Sequence, residues 1–223
     1  MSRWPRPQSV GRALPEYSLS THEAAAALTA EQVLSRLEAG NERFVRGEAR
    51  FPTVQKDILA ELAKGQQPYA TIIGCSDSRV PPELVFDAGF GELFVIRVAG
   101  NVISHEVVGT MQYAAVHLRT PLFLVLGHEG CGAVQAALAA KFRGVRERSR
   151  IERLLENITP GLEDVSPDAS EQDQLKAGVE ANVRWSMRQI IETPEAQARA
   201  AEGLMKLVGA VYELTTGRVR FLS

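Results

Sequence analysis

In the middle of the chain stand three short, almost unbroken apolar runs: Tyr69 to Gly74 (YATIIG), Leu93 to Val98 (LFVIRV) and Leu122 to Gly127 (LFLVLG). A strand with one solvated face alternates polar and apolar residues, whereas a strand covered on both faces does not. The runs therefore predict parallel strands inside a sheet flanked by helices. Between the second and third, Val107, Val108, Met111, Tyr113, Ala114 and Leu118 recur as a mostly buried helix would require, over Glu106 to Leu118. Gly132 to Phe142 follows the third run as another helix. Strand, helix, strand, helix is the rhythm of α/β winding about a parallel sheet.

The flanks extend this frame. Thr29-x-x-Gln32 is a capping-box pattern, and Val33, Leu34, Leu37 and Phe44 continue it at helical spacing, predicting a helix over about 30–46. There is room for a short helix before it, from Thr21 through the alanines. A second helical stretch runs from Val54 to about Ala63 and stops near Lys64-Gly65. From Arg146 to about Ala201 the pattern is helical and charged, broken at Thr159-Pro160-Gly161, Ser166-Pro167 and Thr193-Pro194. The end reads as a β-hairpin: Leu207 to Leu214, a Thr-Thr-Gly turn, then Arg218 to Leu222.

With 223 residues, 45% of them hydrophobic, the chain can build one large core. The expected organisation is a flexible arm over 1–20 followed by one domain over 21–223. A formal charge of -2 gives no footprint for nucleic acid or an anionic membrane, and leaves a small neutral or anionic substrate open. No apolar run approaches the roughly 18 residues needed to span a bilayer, and the first residues lack the apolar stretch of a secretory signal. A soluble, cytoplasmic protein is expected, with an organelle left open. Three Arg, three Pro and one acid in the first 20 residues weakly resemble a transit segment, but they suit a flexible or docking arm better.

Chemistry concentrates in two glycine-flanked segments, GCSDSRVP (74–81) and GHEGCGAV (127–134), which hold the two cysteines of the chain. If YATIIG is a strand, Cys75 lies at its carboxyl end, and an extended continuation would put Cys75, Asp77 and Arg79 on one side. His128 and Cys131 follow the third run in the same way, so both segments leave the sheet edge where open α/β folds place their sites. Two thiolates, one imidazole and one carboxylate suit zinc. Gly127, Gly130 and Gly132 allow a tight bend around an ion. The bland reading, two inert buried thiols, fits poorly with the His, Asp and Arg beside them. Asp77 separates a closed four-ligand bolt from an open catalytic site. Paired bidentately with Arg79 it would be held off the metal; released, it could close the coordination sphere.

GCSDSRVP, with HEGCG beginning 53 residues after Cys75, resembles the signature of the β-class carbonic anhydrases, C-x-D-x-R and H-x-x-C. GELFVIRVAGN, GTMQYAAVHL and VGAVYELTTGRVRFL are similar to that family's second-strand segment, following helix and closing hairpin. The resemblance implies a sheet of four parallel strands plus one antiparallel strand, flanked by helices, with N-terminal helices wrapping a second subunit in a homodimer or larger homo-oligomer. It implies Zn2+ held by Cys75, His128 and Cys131, and Asp77 with Arg79 as a catalytic dyad. Gln66, Phe94 and Tyr113 would be pocket residues near the dimer interface, and the Gly132 N–H a substrate contact. The chain reads RVAGN where some members carry RNVAN, placing Ala99 at an apolar contact. Ile72 stands where members with an inhibitory bicarbonate site often have Trp, which favours a constitutively open site.

The activity so implied is reversible hydration of CO2 to bicarbonate and a proton by a zinc-bound hydroxide, its pKa raised above the roughly 7 of a three-histidine site because two thiolates cancel part of the metal charge. Two alternatives stay open from sequence: hydrolysis of carbon disulfide or carbonyl sulfide on the same scaffold, and a non-catalytic zinc module capped by Asp77. His105, His117 and His22 are expected to cap, face solvent or lie in the arm. The arginines from Arg143 to Arg153 interleave with Glu147, Glu152 and Glu156 as a salt-bridged face. Trp4 and Trp185 are expected to pack.

Overall fold

Five strands form one sheet in the order β2-β1-β3-β4-β5, where β1 is Ala70–Gly74, β2 Leu93–Arg97, β3 Leu122–His128, β4 Lys206–Tyr212 and β5 Val219–Phe221. The first four are mutually parallel and β5 returns antiparallel to β4. This computed structural model describes residues 28–50, 59–60 and 62–222. Strands β1 and β3 are buried at every position, as their unbroken apolar runs require. In β2, at the sheet edge, only Ile96 is fully buried.

Helix α1 (Ala30–Val45) begins at the predicted capping box: the Gln32 N–H donates to the Thr29 hydroxyl and the Thr29 N–H to the Gln32 side chain. Its Val33 and Leu37 are fully buried. Asn41 ties the helix to distant chain, donating to the carbonyls of Val85 and Gly217 and accepting from the Val219 N–H. Gly40 permits the close approach, since a Cβ there would sit 2.0 Å from the Phe86 carbonyl oxygen. A short helix, α2 (Pro82–Val85), follows β1. Helix α3 (His105–Tyr113) starts at a Ser104 cap, one residue earlier than expected, and its last turn widens into a π-turn over Ala114–Leu118 that Arg119 ends in the left-handed region.

Helix α4 (Gly132–Arg143) stops at Gly144, at φ 66. The charged stretch resolves into α5 (Arg150–Glu156), α6 (Glu171–Ile191) and α7 (Pro194–Ala201). The predicted breaks hold: Thr159–Leu162 is a 3₁₀ turn, and Thr193 caps α7 with Pro194 in its first turn. Helix α6 lies directly on the sheet over two glycines. A Cβ on Gly127 would meet Val183 Cγ2 at 2.5 Å, and one on Gly209 would meet Met187 Sδ at 2.5 Å and Val183 Cγ1 at 2.9 Å. The expected arm over 1–20, the helix near Thr21 and most of Val54 to Ala63 lie outside the described residues; Leu59, Ala60 and Leu62 are helical. Among the described residues no helix is long and apolar enough to cross a membrane.

Candidate metal centre and active site

Strands β1 and β3 are adjacent and parallel, with Gly74 opposite Leu126, so Cys75 and His128 emerge from the same carboxyl edge. Gly130, at φ +63, turns the chain so that Cys131 becomes the residue before α4. One ligand atom from each of Cys75, His128 and Cys131 lies within 4.8 Å of the others. All three side chains are buried.

The imidazole is held for ligation. Its Nδ1 lies 2.9 Å from the Glu129 carbonyl oxygen, which can only accept, so Nδ1 carries the proton. Nε2 is then a bare lone pair, buried and without a hydrogen-bond partner among the described residues. A buried acceptor with no donor is unfavourable by itself. Facing two sulfurs, it fits a borderline-soft divalent cation, and the Nδ1 contact fixes tautomer and ring orientation as in histidine metal sites.

The thiols are inequivalent. Cys75 is pushed down from the ordinary thiol range, first by a hydrogen bond from Cys131, against the effect of burial, and further by the backbone N–H groups of Gly100 and Asp77. The Gly100 N–H lies 3.3 Å from Cys75 Sγ. Cys131 is pushed up, because a neighbouring Cys75 thiolate and burial both oppose a second negative charge.

Asp77 and Arg79 pair as expected, but through a different backbone. Instead of an extended continuation to Arg79, the chain turns after Asp77: the Val80 N–H donates to the Asp77 carbonyl, and the Arg79 N–H to Asp77 Oδ1 at 3.0 Å. An aspartate carboxylate readily captures the N–H two residues on, which a sequence reading of alternation overlooks. The guanidinium closes a bidentate clamp, Nε to Oδ1 at 2.9 Å and a terminal nitrogen to Oδ2 at 2.7 Å, and also reaches the Gly130 carbonyl at 3.3 Å. Arg79, foremost through these side-chain bonds, holds the Asp77 carboxyl well below the usual carboxylate range. Asp77 Oδ2 stands 3.9 Å from His128 Nε2. The carboxylate therefore borders the ligand cluster with both oxygens engaged by arginine.

Sequence reasoning passed over Arg97, the last residue of β2. Its guanidinium donates to the carbonyls of Cys75 (2.9 Å) and Asp77 (2.5 Å), pinning the backbone on both sides of Ser76. The signal was present: one cation inside the otherwise apolar run LFVIRV. Also missed were Asn101, Asn182 and Ser186, three buried polar residues behind the Gly100 turn. Asn182 and Ser186 lie four residues apart in a charged helix, with no local sign in the sequence that they are buried.

The expected pocket residues are not gathered around the cluster within this chain. Gln66 is exposed in the loop before β1. Phe94 pairs with Thr71 in the ladder and stacks on Tyr113, centroids 6.1 Å apart at 29°. Four residues of strand, about 13 Å, separate that level from Cys75. Gly132 does lie at the site: it opens α4 next to Cys131, exposed, with nothing within 4 Å of where a Cβ would be. Ala99 is exposed beside Gly100, and Ile72 is fully buried. His105 occupies the first turn of α3 and His117 lies against Tyr113, centroids 4.9 Å apart. Trp185 packs over Gly161 and donates to the Asn157 carbonyl.

Comparison with known proteins agrees with this geometry. Residues 70–219 match the carbonic anhydrase family profile. The chain is 40% identical over 186 residues to carbonic anhydrase 2 of Mycobacterium tuberculosis, covering 82% of this chain and 87% of that protein. It is 39% identical over 188 residues to a carbonic anhydrase of Mycolicibacterium smegmatis, covering 84% and 90%. Among solved structures, the Coccomyxa β-carbonic anhydrase in complex with acetazolamide superposes with a TM-score of 0.68 at 28% identity, covering 85% of this chain and 86% of that one. On the strength of the matched sequence and the shared fold, the chain belongs to the β-class carbonic anhydrases.

Proposed function

We propose that this protein catalyses the reversible hydration of CO2 to bicarbonate and a proton, with zinc held by Cys75, His128 and Cys131. The observation that carries the reading is the buried His128 Nε2 facing two cysteine sulfurs while Arg79 occupies both oxygens of the adjacent Asp77. Zinc, when bound, supplies Lewis acidity that lowers the pKa of a coordinated water. The residues do the rest. Asp77, kept ionised by Arg79, accepts a hydrogen bond from the attacking water and so orients its lone pair towards the substrate carbon. Arg79 keeps that carboxylate from serving as a fourth ligand. The exposed Gly132 N–H, at the start of α4, donates to a substrate oxygen, favoured by the positive end of the helix.

Gln66, Phe94 and Tyr113 serve, in this reading, a substrate pocket completed across the interface of a homodimer or larger homo-oligomer, since within one chain they lie away from the cluster. A cytoplasmic location is part of the same proposal. The relatives named above point to CO2 over carbon disulfide or carbonyl sulfide. The test is stopped-flow CO2 hydration with zinc content measured on the same sample. Activity should climb between about pH 7 and 9. Cys75→Ser and His128→Ala should lose metal and turnover together, whereas Asp77→Asn should keep zinc and lose most turnover. Loss of metal in Asp77→Asn would instead make Asp77 a permanent ligand and the site structural.

A further inference from the structure

The turn at Gly100 and Asn101 is an unusual piece of backbone. Both residues have positive φ, 66° and 45°, a conformation that a non-glycine residue keeps only when its surroundings impose it. Here they do so from two sides. A Cβ on Gly100 would sit 2.7 Å from Ile158 Cδ1 and 3.0 Å from the Ala133 Cβ, so the turn is walled in. From α6, Asn182 Nδ2 donates to the Gly100 carbonyl at 2.8 Å. The Ser186 hydroxyl donates to the Asn101 carbonyl at 3.1 Å and accepts from Asn101 Nδ2 at 3.2 Å. Asn101, Asn182 and Ser186 are each 1% exposed. The product of this arrangement is one hydrogen bond, from the Gly100 N–H to Cys75 Sγ at 3.3 Å.

Stability alone does not account for these polar groups. Burying an amide in a helix that packs on an apolar sheet is unfavourable unless both its ends are satisfied, and Asn182 Oδ1 receives no hydrogen bond among the described residues. An apolar side chain of similar volume would serve packing as well or better. What it could not do is hold the Gly100 carbonyl, and with it the φ and ψ of Gly100, so that the preceding peptide keeps the Gly100 N–H aimed at the sulfur.

We infer that Asn182 and Ser186 are positioning residues for the metal: from α6 they lock the Gly100–Asn101 turn so that the Gly100 N–H donates to the Cys75 thiolate and tunes it as a ligand. This rests on the zinc reading above and adds two residues to it, neither of which touches the ion or the substrate. A donor N–H withdraws charge from the sulfur and fixes its direction, the role that groups behind metal ligands commonly play.

The test uses the full-length protein, loaded with zinc for affinity and with cobalt(II) for spectroscopy, in wild type, Asn182→Leu and Ser186→Ala. Zinc affinity, measured by competition with a chromophoric chelator, should fall about 10- to 100-fold in Asn182→Leu and by a smaller factor in Ser186→Ala. The thiolate-to-cobalt charge-transfer band should move to longer wavelength, because a sulfur without its N–H donor gives up charge more easily. Wild-type affinity with an unmoved band in the variants would overturn the inference. So would a loss of affinity with the band unmoved, since that outcome assigns the pair to packing alone. If Asn182→Leu does not fold, the same two measurements on the milder Ser186→Ala decide between these outcomes. Wild-type protein that takes up neither metal would overturn the metal site itself and this inference with it, whereas tight wild-type binding matched by the variants overturns only the inference.

Discussion

Replacing Gly127 by alanine places one methyl group where α6 meets β3, one residue before His128. The new Cβ would stand 2.5 Å from Val183 Cγ2 and 3.5 Å from Val179 Cγ1, about 1 Å inside normal contact for the first. Val183 cannot step aside easily, because a valine in a helix has one strongly preferred rotamer, and its side chain is fully buried. The clash should cost about 3 kcal/mol, the upper end for an added methylene in a packed core. Reduced entropy of the unfolded chain returns up to about 1 kcal/mol, leaving a net loss near 2 kcal/mol. At this chain length that is a fall in Tm of about 4–8 °C. Val183→Ala alone removes two methyl groups and leaves a cavity, for about 2–3 kcal/mol. In the double variant the methyl group added at position 127 occupies the space vacated by Val183, so the losses should not sum to about 4–5 kcal/mol but stay near 2.5 kcal/mol. The coupling of about 2 kcal/mol is read from a double-mutant cycle of thermal denaturation at fixed protein and zinc concentrations. Additivity within about 0.5 kcal/mol would refute the view that α6 bears on this glycine.

Arg97→Met removes a charged donor from the carbonyls of Cys75 and Asp77; with water replacing part of it, a loss of about 2 kcal/mol in holding Asp77 corresponds to roughly thirtyfold lower turnover. Arg97→Lys, able to reach only one carbonyl, should fall between, and zinc-replete Arg97→Met with turnover within about threefold of wild type would refute the role. Burial, with Glu92 nearby, pushes the Tyr69 phenol up to about 12. The folded protein therefore holds that proton longer than the unfolded chain, so the associated stability is complete below about pH 10 and is lost as pH rises from there to 12. Ultraviolet titration should show a phenolate component near pH 12 that Tyr69→Phe removes, and its persistence would refute the assignment. For Asp77 the sign is reversed: Arg79 depresses its pKa, so the stabilisation is present above about pH 3.9 and is lost on acidification below that. Asp77→Asn should accordingly flatten the acid limb of the stability curve below pH 4, and an unchanged limb would argue against the pairing. Stripping the metal with a chelator should lower Tm, and added zinc should restore it, as a ligand specific to the folded state requires.

The chain by itself determined the strands, because nearly unbroken apolar runs of about six residues suit a helix-flanked parallel sheet, although β2 at the edge stays half-buried. It also determined the start of α1, since a capping box is a local bond between residues three apart. The metal-site candidates were legible for the same reason. Cys75, His128 and Cys131 follow directly on β1 and β3, and adjacent parallel strands must deliver their carboxyl ends to one edge. Only the tertiary structure decided that the chain turns at Asp77 rather than running on, because the competition between an extended backbone and a captured N–H is settled by neighbours. It alone revealed Arg97, Asn101, Asn182 and Ser186. Their partners lie 20 to 85 residues away, and a polar residue in a charged helix shows no sign, in its own segment, of which side will be buried. Likewise Gly127 and Gly209 became necessary only when α6 came to rest on them, a contact set by the packing of distant elements and not by local preference.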